Sequence, residues 1–348
     1  MYKRTPDKPP HIEPYLGDYK PLWSVMIPVY NCIEYLEETL ASVLQQDAGH
    51  GLMQIEVVDD CSSDGDVEEL VNKIGKGRIG YYRQKENLGS LRNFETCINR
   101  SKGKYVHLLH GDDRIEFGFY DEIESLFRAY PEAGAAYTNH NYINIESGTL
   151  PHKNKSILEN PGIIADFIDK IAVKNLVQPP AMVVKRSTYE VLGSFFAVHF
   201  GEDWEMWARI GAKFPVAYSP KYLASYRLAR IGITYKSFLS GQNFLDMKKV
   251  IDIIQHYLPE HKRSKIRKAS LADTAKYTVT CANSLLPNNR KAALRQIKGA
   301  WNMSKDLTTL YYIMRFFAMY SLRHKRIENM LRKRKKNELE KHNLSKVK

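Results

Sequence analysis

The first 140 residues alternate short apolar segments with amphipathic ones, and this alternation restricts the chain to an α/β fold more than any other feature. Each apolar segment has the length and composition of a strand, and the residues after it repeat apolar positions at the spacing of one helix face. Strands that alternate with such helices form a mostly parallel sheet covered on both faces. The first four predicted strands are Leu22–Val29, Gln54–Val58, Ile79–Tyr82 and Lys104–Leu109.

Two local motifs help to place the predicted helices. Asn31 precedes Glu34 by three residues, which is the spacing of a capping box, so we expect Asn31 to be the N-cap of the first helix. Residues 75–80 match GxGxxG, but the match follows a predicted helix and enters a strand. A dinucleotide fingerprint has the opposite order, so we interpret this segment as a connection, with Gly75 near the helix C-cap.

Acidic pairs follow two of the predicted strands. Strand one ends in an aromatic residue, Tyr30, whereas strand two ends in Asp59-Asp60 and strand four is followed by Asp112-Asp113. One acidic pair is commonly a turn or a helix cap. Because ligands of such sheets bind at the carboxyl ends of the strands, two pairs at that edge predict a Mg²⁺ or Mn²⁺ site that holds phosphate.

The positive charge of the chain lies in its last quarter. Residues 261–348 contain 23 Lys and Arg but only 5 Asp and Glu, whereas the first 260 residues are slightly acidic. Leu307–Leu322 is strongly apolar, and residues 323–336 add 8 basic side chains and one acid. This pattern favours an interfacial membrane helix, with a helix packed on the body or on a partner as the alternative. No RNA- or DNA-binding signature is present, so we expect no nucleic-acid partner.

Other features indicate a cytoplasmic protein. The N-terminal residues are polar and proline-rich, with no apolar core of a signal peptide. No segment approaches the roughly 20 apolar residues of a spanning helix. The four cysteines show no CxxC spacing, which argues against a zinc ribbon or a disulfide framework. We therefore expect the protein to lie at the cytoplasmic membrane face as a peripheral protein.

Six motifs, in this order, resemble those of the family 2 glycosyltransferases, which have the GT-A fold. The resemblance covers about residues 21–235. It implies an inverting enzyme that moves a sugar from a nucleotide sugar to an acceptor hydroxyl, of the type that makes bacterial surface polysaccharides. The motifs are Ser24–Asn31, Val57–Gly65, Asn87–Asn93, Ser101–Tyr105, Leu108–Asp113 and Gly201–Arg209.

The resemblance implies how the donor is held. A uracil ring would stack on Tyr30 beside the backbone of Pro28, and Asp60 would accept a hydrogen bond from the base. Arg92 would lie near the diphosphate, because a guanidinium matches phosphate oxygens. The alternative for Arg92 is a salt bridge within its own helix.

The resemblance also implies the catalytic groups. Asp113 would bind the divalent cation directly, and Asp112 would position the ribose or the sugar. Asp203 would be the general base that deprotonates the acceptor hydroxyl, with Glu202 beside it among the donor-binding residues. Alternatively, these two acids only complement the dipole of the helix that they begin. Trp204 and Trp207, at helical spacing, favour core packing over stacking on an acceptor sugar.

Two positions depart from the family pattern. His110 stands where relatives often have an acid of the metal motif. After Tyr226-Arg227, relatives often have a histidine two residues on, but this chain has Ala229-Arg230. Arg230 could replace that histidine as a cationic phosphate contact. The third metal ligand is therefore open, whereas Asp113 is retained.

These features predict an α/β protein with a GT-A domain and a basic helical C-terminal region. The expected parts are an extension (1–20), a GT-A domain (21–235, with a nucleotide half up to residue 140 and an acceptor half after it), and residues 236–348. The expected partners are a nucleotide sugar, with UDP favoured, and a glycan or lipid-linked acceptor. One alternative is a nucleotidyltransferase, but this chain lacks the glycine-rich loop that such enzymes have after strand one. The other alternative is a non-catalytic binder at the membrane surface.

Overall fold

The fold is built on one sheet flanked by helices, in a computed structural model that describes residues 3–151, 156–228, 233–286 and 288–321. The strands are β1 Trp23–Val29, β2 Met53–Asp59, β3 Gly80–Arg83, β4 Tyr105–Leu108, β5 Arg114–Ile115, β6 Ala135–Ile143, β7 Gly162–Ile163, β8 Met182–Lys185 and β9 Val216–Arg227. The helices are α1 Ile33–Leu44, α2 Val67–Gly75, α3 Ser90–Arg100, α4 Phe119–Ala129, α5 Phe167–Ile171, α6 Arg186–Leu192, α7 Glu202–Gly211, α8 Ile233–Ser240, α9 Gln242–Ile254, α10 Glu260–Leu285, α11 Arg290–Met303 and α12, over 307–321.

The first half of the sheet confirms the predicted strand–helix alternation. The strands β3, β2, β1 and β4 are adjacent in that order and all run parallel. Every residue of β1 and β2 is buried, so the polar Gln54 and Glu56 of β2 also lie inside the protein, where the Gln54 amide donates to Glu56 Oε2 at 2.9 Å. The carboxyl ends of these strands consequently lie at the same edge of the sheet. The segment 75–80 connects α2 to β3, as expected, with Gly75 as the last residue of α2.

The second half of the sheet is mixed, so a wholly parallel arrangement holds only for the first four strands. β8 lies between β4 and β6 and is antiparallel to both. β9 runs parallel to β6 and antiparallel to β5 and β7. The insertion of β8 depends on pairing between distant parts of the chain, which local periodicity does not encode.

The predicted N-cap of α1 is wrong. The cap position is Cys32, which makes no side-chain capping bond, and Asn31 has a left-handed backbone with φ of 50°. Asp64 supplies the missing acceptor, because its Oδ2 accepts a hydrogen bond from the Ile33 N–H at 2.9 Å. Asn31 instead accepts a bond from the Ser63 N–H at 2.8 Å. A loop distant in sequence thus takes over the capping function.

A close backbone contact explains why Gly103 stands in the motif Ser101–Tyr105. A Cβ on Gly103 would lie 2.4 Å from the carbonyl carbon of Trp23 and 2.6 Å from the Ser24 nitrogen. The Gly103 N–H donates to the Ser24 hydroxyl at 2.7 Å. The turn before β4 therefore packs directly against the start of β1, and a side chain at residue 103 would separate them.

We expect Gly103→Ala to lower the free energy of unfolding by about 1–3 kcal/mol, the usual cost of overpacking. Urea denaturation of the two proteins measures the difference. Gly51→Ala is the matched control, because a Cβ at Gly51 meets nothing within 4 Å. An equal effect of both substitutions would contradict the packing argument.

The N-terminal extension is packed against the α/β body. Ile12 is fully buried. The carbonyl oxygens of Pro6 and Pro10 accept hydrogen bonds from Ala197 and Ser194 at 2.9 and 2.8 Å. The buried Arg186 donates to the carbonyl of Glu13 at 2.6 Å. The segment before β1 is thus held by backbone and side-chain bonds to the region that precedes α7.

The chain divides into two compact units. The first contains Met1–Lys236 and Asp246–Ser270, and the second contains Ser237–Leu245 and Leu271–Lys348. The sequence instead predicted one continuous C-terminal region from residue 236. In the second unit, the side-chain amides of Asn243 and Gln296 are fully buried and hydrogen-bonded to each other. Among the described helices, none has the length and apolar character that crossing a bilayer requires.

Candidate active site

The end of β1 lies between the two acidic pairs. The Asp60 N–H donates to the carbonyl of Val29 at 2.8 Å, and the Gly111 N–H donates to the carbonyl of Pro28 at 3.2 Å. Tyr30 follows directly, and 48% of its surface is exposed. The sheet thus brings an exposed aromatic ring and two acidic segments to one edge, as the sequence predicted.

Asp60 is buried and held by the loop before α3. Its Oδ1 accepts from the Leu88 N–H, and its Oδ2 accepts from the Gly89 N–H and the Asn87 amide, each at 2.8 Å. Burial raises the pKa of Asp60, against the lowering effect of the Leu88 and Gly89 hydrogen bonds. The carboxylate therefore orients this loop, and a base N–H would be a further donor to it.

His110, Asp112 and Asp113 form a cluster of potential metal ligands after β4. Each offers one ligand atom, and these atoms lie within 4.8 Å of one another. Asp113 is 1% exposed. Burial raises the pKa of Asp113 well above its ordinary value, and the charge of Asp112 raises it further. A cation between these side chains would remove that repulsion.

Arg227, at the end of β9, fixes the position of this cluster. Its backbone N–H donates to Asp113 Oδ1 at 2.8 Å, and its Nε donates to the carbonyl of Asp112 at 2.7 Å. The guanidinium also pairs with Glu38 of α1 at 2.5 Å. The sequence placed Arg227 in a family motif but did not assign this role to it.

The cluster fits a divalent cation. Asp113 Oδ2 is buried and has no hydrogen-bond partner in the part of the chain that the structure describes. A buried carboxylate oxygen without a partner is energetically costly, so a bound cation would stabilise it. Two carboxylates and an imidazole are suitable ligands for Mg²⁺, Mn²⁺ or another first-row ion.

A third acidic pair, Glu202-Asp203, begins α7. Gly201, with φ of 86°, precedes Glu202. Asp203 Oδ1 accepts from the Trp204 N–H at 2.7 Å, and its Oδ2 accepts from the Asn175 amide at 2.8 Å. Burial raises the pKa of Asp203 to about 6, although both hydrogen bonds oppose the shift. Burial also raises the pKa of Glu202 well above its ordinary value, and the charge of Asp203 adds to the effect.

Tyr226 lies within electrostatic range of Asp112, Asp113 and Asp203. Burial raises the pKa of its phenol well above the ordinary value, and the charges of Asp113, Asp112 and Asp203 raise it further. Tyr226 precedes Arg227, whose N–H binds Asp113. The carboxylates after β4 and Asp203 at the start of α7 therefore both act on this phenol, and their convergence in one cleft stays a prediction.

Other predicted residues have different surroundings. Arg92 pairs with Glu95 of its own helix at 2.6 Å and donates to the carbonyl of Lys3 at 2.8 Å. Trp204 and Trp207 are each 3% exposed, which confirms core packing, and the Trp204 indole donates to the carbonyl of Ile171 at 2.6 Å. Arg230 lies outside the described residues. The sequence did not indicate Asn175, which belongs to no recognisable motif.

Comparisons with known proteins bear on the family and the fold. Residues 24–192 match the glycosyl transferase family 2 model. The putative teichuronic acid biosynthesis glycosyltransferase TuaG of Bacillus subtilis is 35% identical over 125 residues, which are 35% of this chain and 47% of that protein. The chain therefore spans about half of the length of that relative.

Two solved structures share the fold. S. aureus TarS 1–349 in complex with UDP-GlcNAc superimposes with a TM-score of 0.63 at 15% identity, over 81% of this chain and 80% of that one. The mannosyltransferase PcManGT of Pyrobaculum calidifontis, in complex with GDP-Man and Mn²⁺, has a TM-score of 0.54 at 17% identity, over 90% and 84% of the two chains. Residues 24–192 therefore carry the glycosyl transferase family 2 domain, on the GT-A fold that these glycosyltransferases share.

Proposed function

We propose that this enzyme transfers a sugar, with inversion, from a nucleotide sugar to a hydroxyl of a surface-glycan or lipid-linked acceptor, assisted by a divalent cation. The observation that carries the proposal is the cluster of His110, Asp112 and Asp113, in which the buried Asp113 Oδ2 has no hydrogen-bond partner among the described residues. The cluster supports a cation site, and the part-buried Asp203, held by the Asn175 amide, is the proposed carboxylate base. The cation would neutralise the departing diphosphate, and the base would accept the proton of the attacking hydroxyl.

The donor is proposed to bind along the ends of β1 and β2. The exposed ring of Tyr30 offers a face on which a base stacks, beside the backbone of Pro28. Asp60 orders the loop at residues 87–89 and is the proposed acceptor for a base N–H. Arg92 and Arg230 remain the proposed cationic contacts of the diphosphate, and Glu202 remains among the proposed donor contacts. We favour a UDP-sugar, as in the TarS complex, with GDP as the alternative that the PcManGT complex suggests.

The reaction follows from the two carboxylates. Asp113, with Asp112 and His110 beside it, would hold the cation, which when bound neutralises the charge that develops on the departing diphosphate. Asp203 would take the proton of the acceptor hydroxyl as its oxygen attacks the anomeric carbon. The Asn175 amide holds the carboxylate of Asp203 in place. Attack from the face opposite the leaving group inverts the anomeric centre.

Calorimetry with UDP and GDP, with and without Mn²⁺, tests donor binding. We expect UDP to bind more tightly when Mn²⁺ is present, and Tyr30→Ala to weaken that binding by about 1–3 kcal/mol, or about 5- to 150-fold in Kd. Tyr30→Phe keeps the ring and is expected to bind like wild type. If wild type binds neither UDP nor GDP, with or without Mn²⁺, the proposal is wrong.

The acceptor is proposed to be a glycan of the bacterial surface. This step rests on the relatives: TuaG is named for teichuronic acid biosynthesis, and the abequosyltransferase RfbV of Salmonella typhimurium also matches this chain. Acceptors of this kind are commonly presented at a membrane. A soluble analogue with a free sugar hydroxyl would serve as the acceptor in a UDP-release assay.

Helix α12 supports a peripheral membrane contact. Its side chains Ile313 and Phe316 are buried, whereas an opposite face is apolar and exposed. At 3.6 residues per turn, the exposed apolar side chains occupy an arc of about 120°. The 8 basic residues of 323–336 follow this helix in the sequence but lie outside the described residues. An exposed apolar arc that is followed in the sequence by basic residues suits an anionic bilayer surface. The arc contains Leu307, Leu310, Tyr311, Met314 and Phe317.

Co-sedimentation with phosphatidylglycerol vesicles tests this contact. We expect the triple variant Leu307→Gln, Tyr311→Gln, Met314→Gln to lose most of its binding, because each apolar side chain removed from water contributes up to about 1.5–3 kcal/mol. The control variant Leu16→Gln, Val191→Gln changes two exposed apolar residues elsewhere and is expected to bind like wild type. A change of oligomeric state without a change of vesicle binding would instead indicate a contact between copies.

A further inference from the structure

We propose that His110 is a third ligand of the cation, and that its imidazole makes the site prefer Mn²⁺ or a similar transition ion over Mg²⁺. This inference rests on the proposed function, since it concerns the same cation. It goes further because it assigns a role to a side chain that replaces the acid expected from the family pattern. The resulting ligand set is one nitrogen and two carboxylates.

The distances suit coordination by all three side chains. The ligand atoms of His110, Asp112 and Asp113 lie within 4.8 Å of one another. Ligands on opposite sides of one ion are about 4.2 Å apart, since each bond is about 2.1 Å long. Small side-chain rotations therefore bring the three atoms onto one ion.

An unsatisfied oxygen gives independent support for a ligand at this position. Asp113 is 1% exposed and its Oδ1 is occupied by the Arg227 N–H. Its Oδ2 is buried and has no hydrogen-bond partner among the described residues. Buried carboxylate oxygens are normally paired with a donor or bound to a metal. Among the described residues no side chain pairs with this oxygen, so a bound cation is a suitable partner for it.

Stacking on Phe94 orients the imidazole. The two rings are nearly parallel, with 9° between their planes and 5.2 Å between their centroids. Phe94 is itself held by an edge contact with Phe195, again at 5.2 Å. Neither ring nitrogen of His110 is hydrogen-bonded to another side chain in the described ranges, so the imidazole edge is available to a metal. The stack restricts the plane of the ring and lowers the entropic cost of coordination.

The chemistry of the imidazole determines which ion benefits. Mg²⁺ is a hard ion that prefers oxygen ligands, whereas imidazole nitrogen binds first-row transition ions more strongly. Replacing one carboxylate of an all-oxygen site by His110 therefore weakens the site for Mg²⁺ relative to Mn²⁺. It also leaves one negative charge fewer in the cluster.

Binding of MnCl₂ to the full-length, nucleotide-free protein tests the proposal. The electron paramagnetic resonance signal of free Mn²⁺ gives its Kd, and competition by MgCl₂ gives the Kd of Mg²⁺. We expect His110→Phe, which keeps a ring against Phe94, to weaken Mn²⁺ binding by about tenfold. We expect His110→Asp to lower the preference for Mn²⁺ over Mg²⁺ by about tenfold. Wild type alone should show nitrogen modulation in the pulsed spectrum of bound Mn²⁺.

Asp113→Asn separates failure of this inference from failure of the proposed function. If Asp113→Asn binds Mn²⁺ as wild type does, the proposed cation site itself is wrong. If Asp113→Asn loses Mn²⁺ while both His110 variants retain the wild-type affinity and preference, the cation site stands and the role of His110 is wrong. Thermal unfolding in the presence of a chelator verifies that each variant is folded.

Discussion

Asp203→Asn is expected to lower kcat by about 10²–10⁴-fold, the usual contribution of a positioned general base. The affinity for UDP should stay close to that of wild type, because Asp203 is proposed to contact the acceptor and not the nucleotide. Asparagine has the same shape, and its oxygen can still accept the Trp204 N–H that Asp203 accepts now. UDP release measures kcat, and calorimetry measures the affinity.

Glu202→Gln is the matched variant for this experiment. It replaces a carboxylate by an amide one residue earlier in α7. Comparing kcat of the two variants therefore shows which of the two acids is the base. We expect a smaller loss of kcat than for Asp203→Asn. If Glu202→Gln were inactive and Asp203→Asn active, Glu202 would be the base. Equal activity of wild type and Asp203→Asn would remove Asp203 from the mechanism.

The pH profile gives a second test of the same assignment. The base must be deprotonated, and burial raises the pKa of Asp203 to about 6. We therefore expect wild-type kcat to be constant above neutral pH and to fall as the pH decreases through about 6. The residual activity of Asp203→Asn should not show this decrease at low pH. A wild-type profile without a change near pH 6 would contradict the assignment.

The parallel half of the sheet was predictable because its information is local. Each apolar strand and its helix are continuous in sequence, and parallel pairing then brings Asp60 and Asp113 to the same edge. The mixed half was not predictable. β8 pairs with β4, which lies almost 80 residues earlier in the sequence, and no local pattern encodes that pairing.

The same distinction applies to the candidate site. Motifs indicated the acidic pairs, but their supporting side chains come from distant segments. Asn175 holds Asp203, and Arg227 holds Asp113, through contacts that depend on the finished fold. The wrong N-cap has the same origin, because Asp64 rather than Asn31 accepts the first N–H of α1. Contacts between segments that are distant in sequence leave little trace in local residue patterns.

Asp113→Asn is expected to abolish the effect of divalent cations on UDP binding. It is also expected to lower kcat by about 10³-fold, because the metal contributes several kcal/mol to transition-state stabilisation. The same substitution should not destabilise the metal-free protein. The carboxylate is buried with one unpaired oxygen, so a neutral amide of equal size lowers the cost of its burial. Activity and stability should therefore change in opposite directions.

Thermal unfolding with and without Mn²⁺ distinguishes this outcome from a simple folding defect. Mn²⁺ should raise the Tm of wild type by mass action and leave that of Asp113→Asn unchanged. Asp66→Asn is the matched control, since it removes the same charge at the N-cap of α2, where asparagine caps equally well. It should keep both the activity and the response to Mn²⁺. A lower metal-free Tm of Asp113→Asn, with the response to Mn²⁺ retained, would show that this carboxylate serves folding and that the metal binds elsewhere.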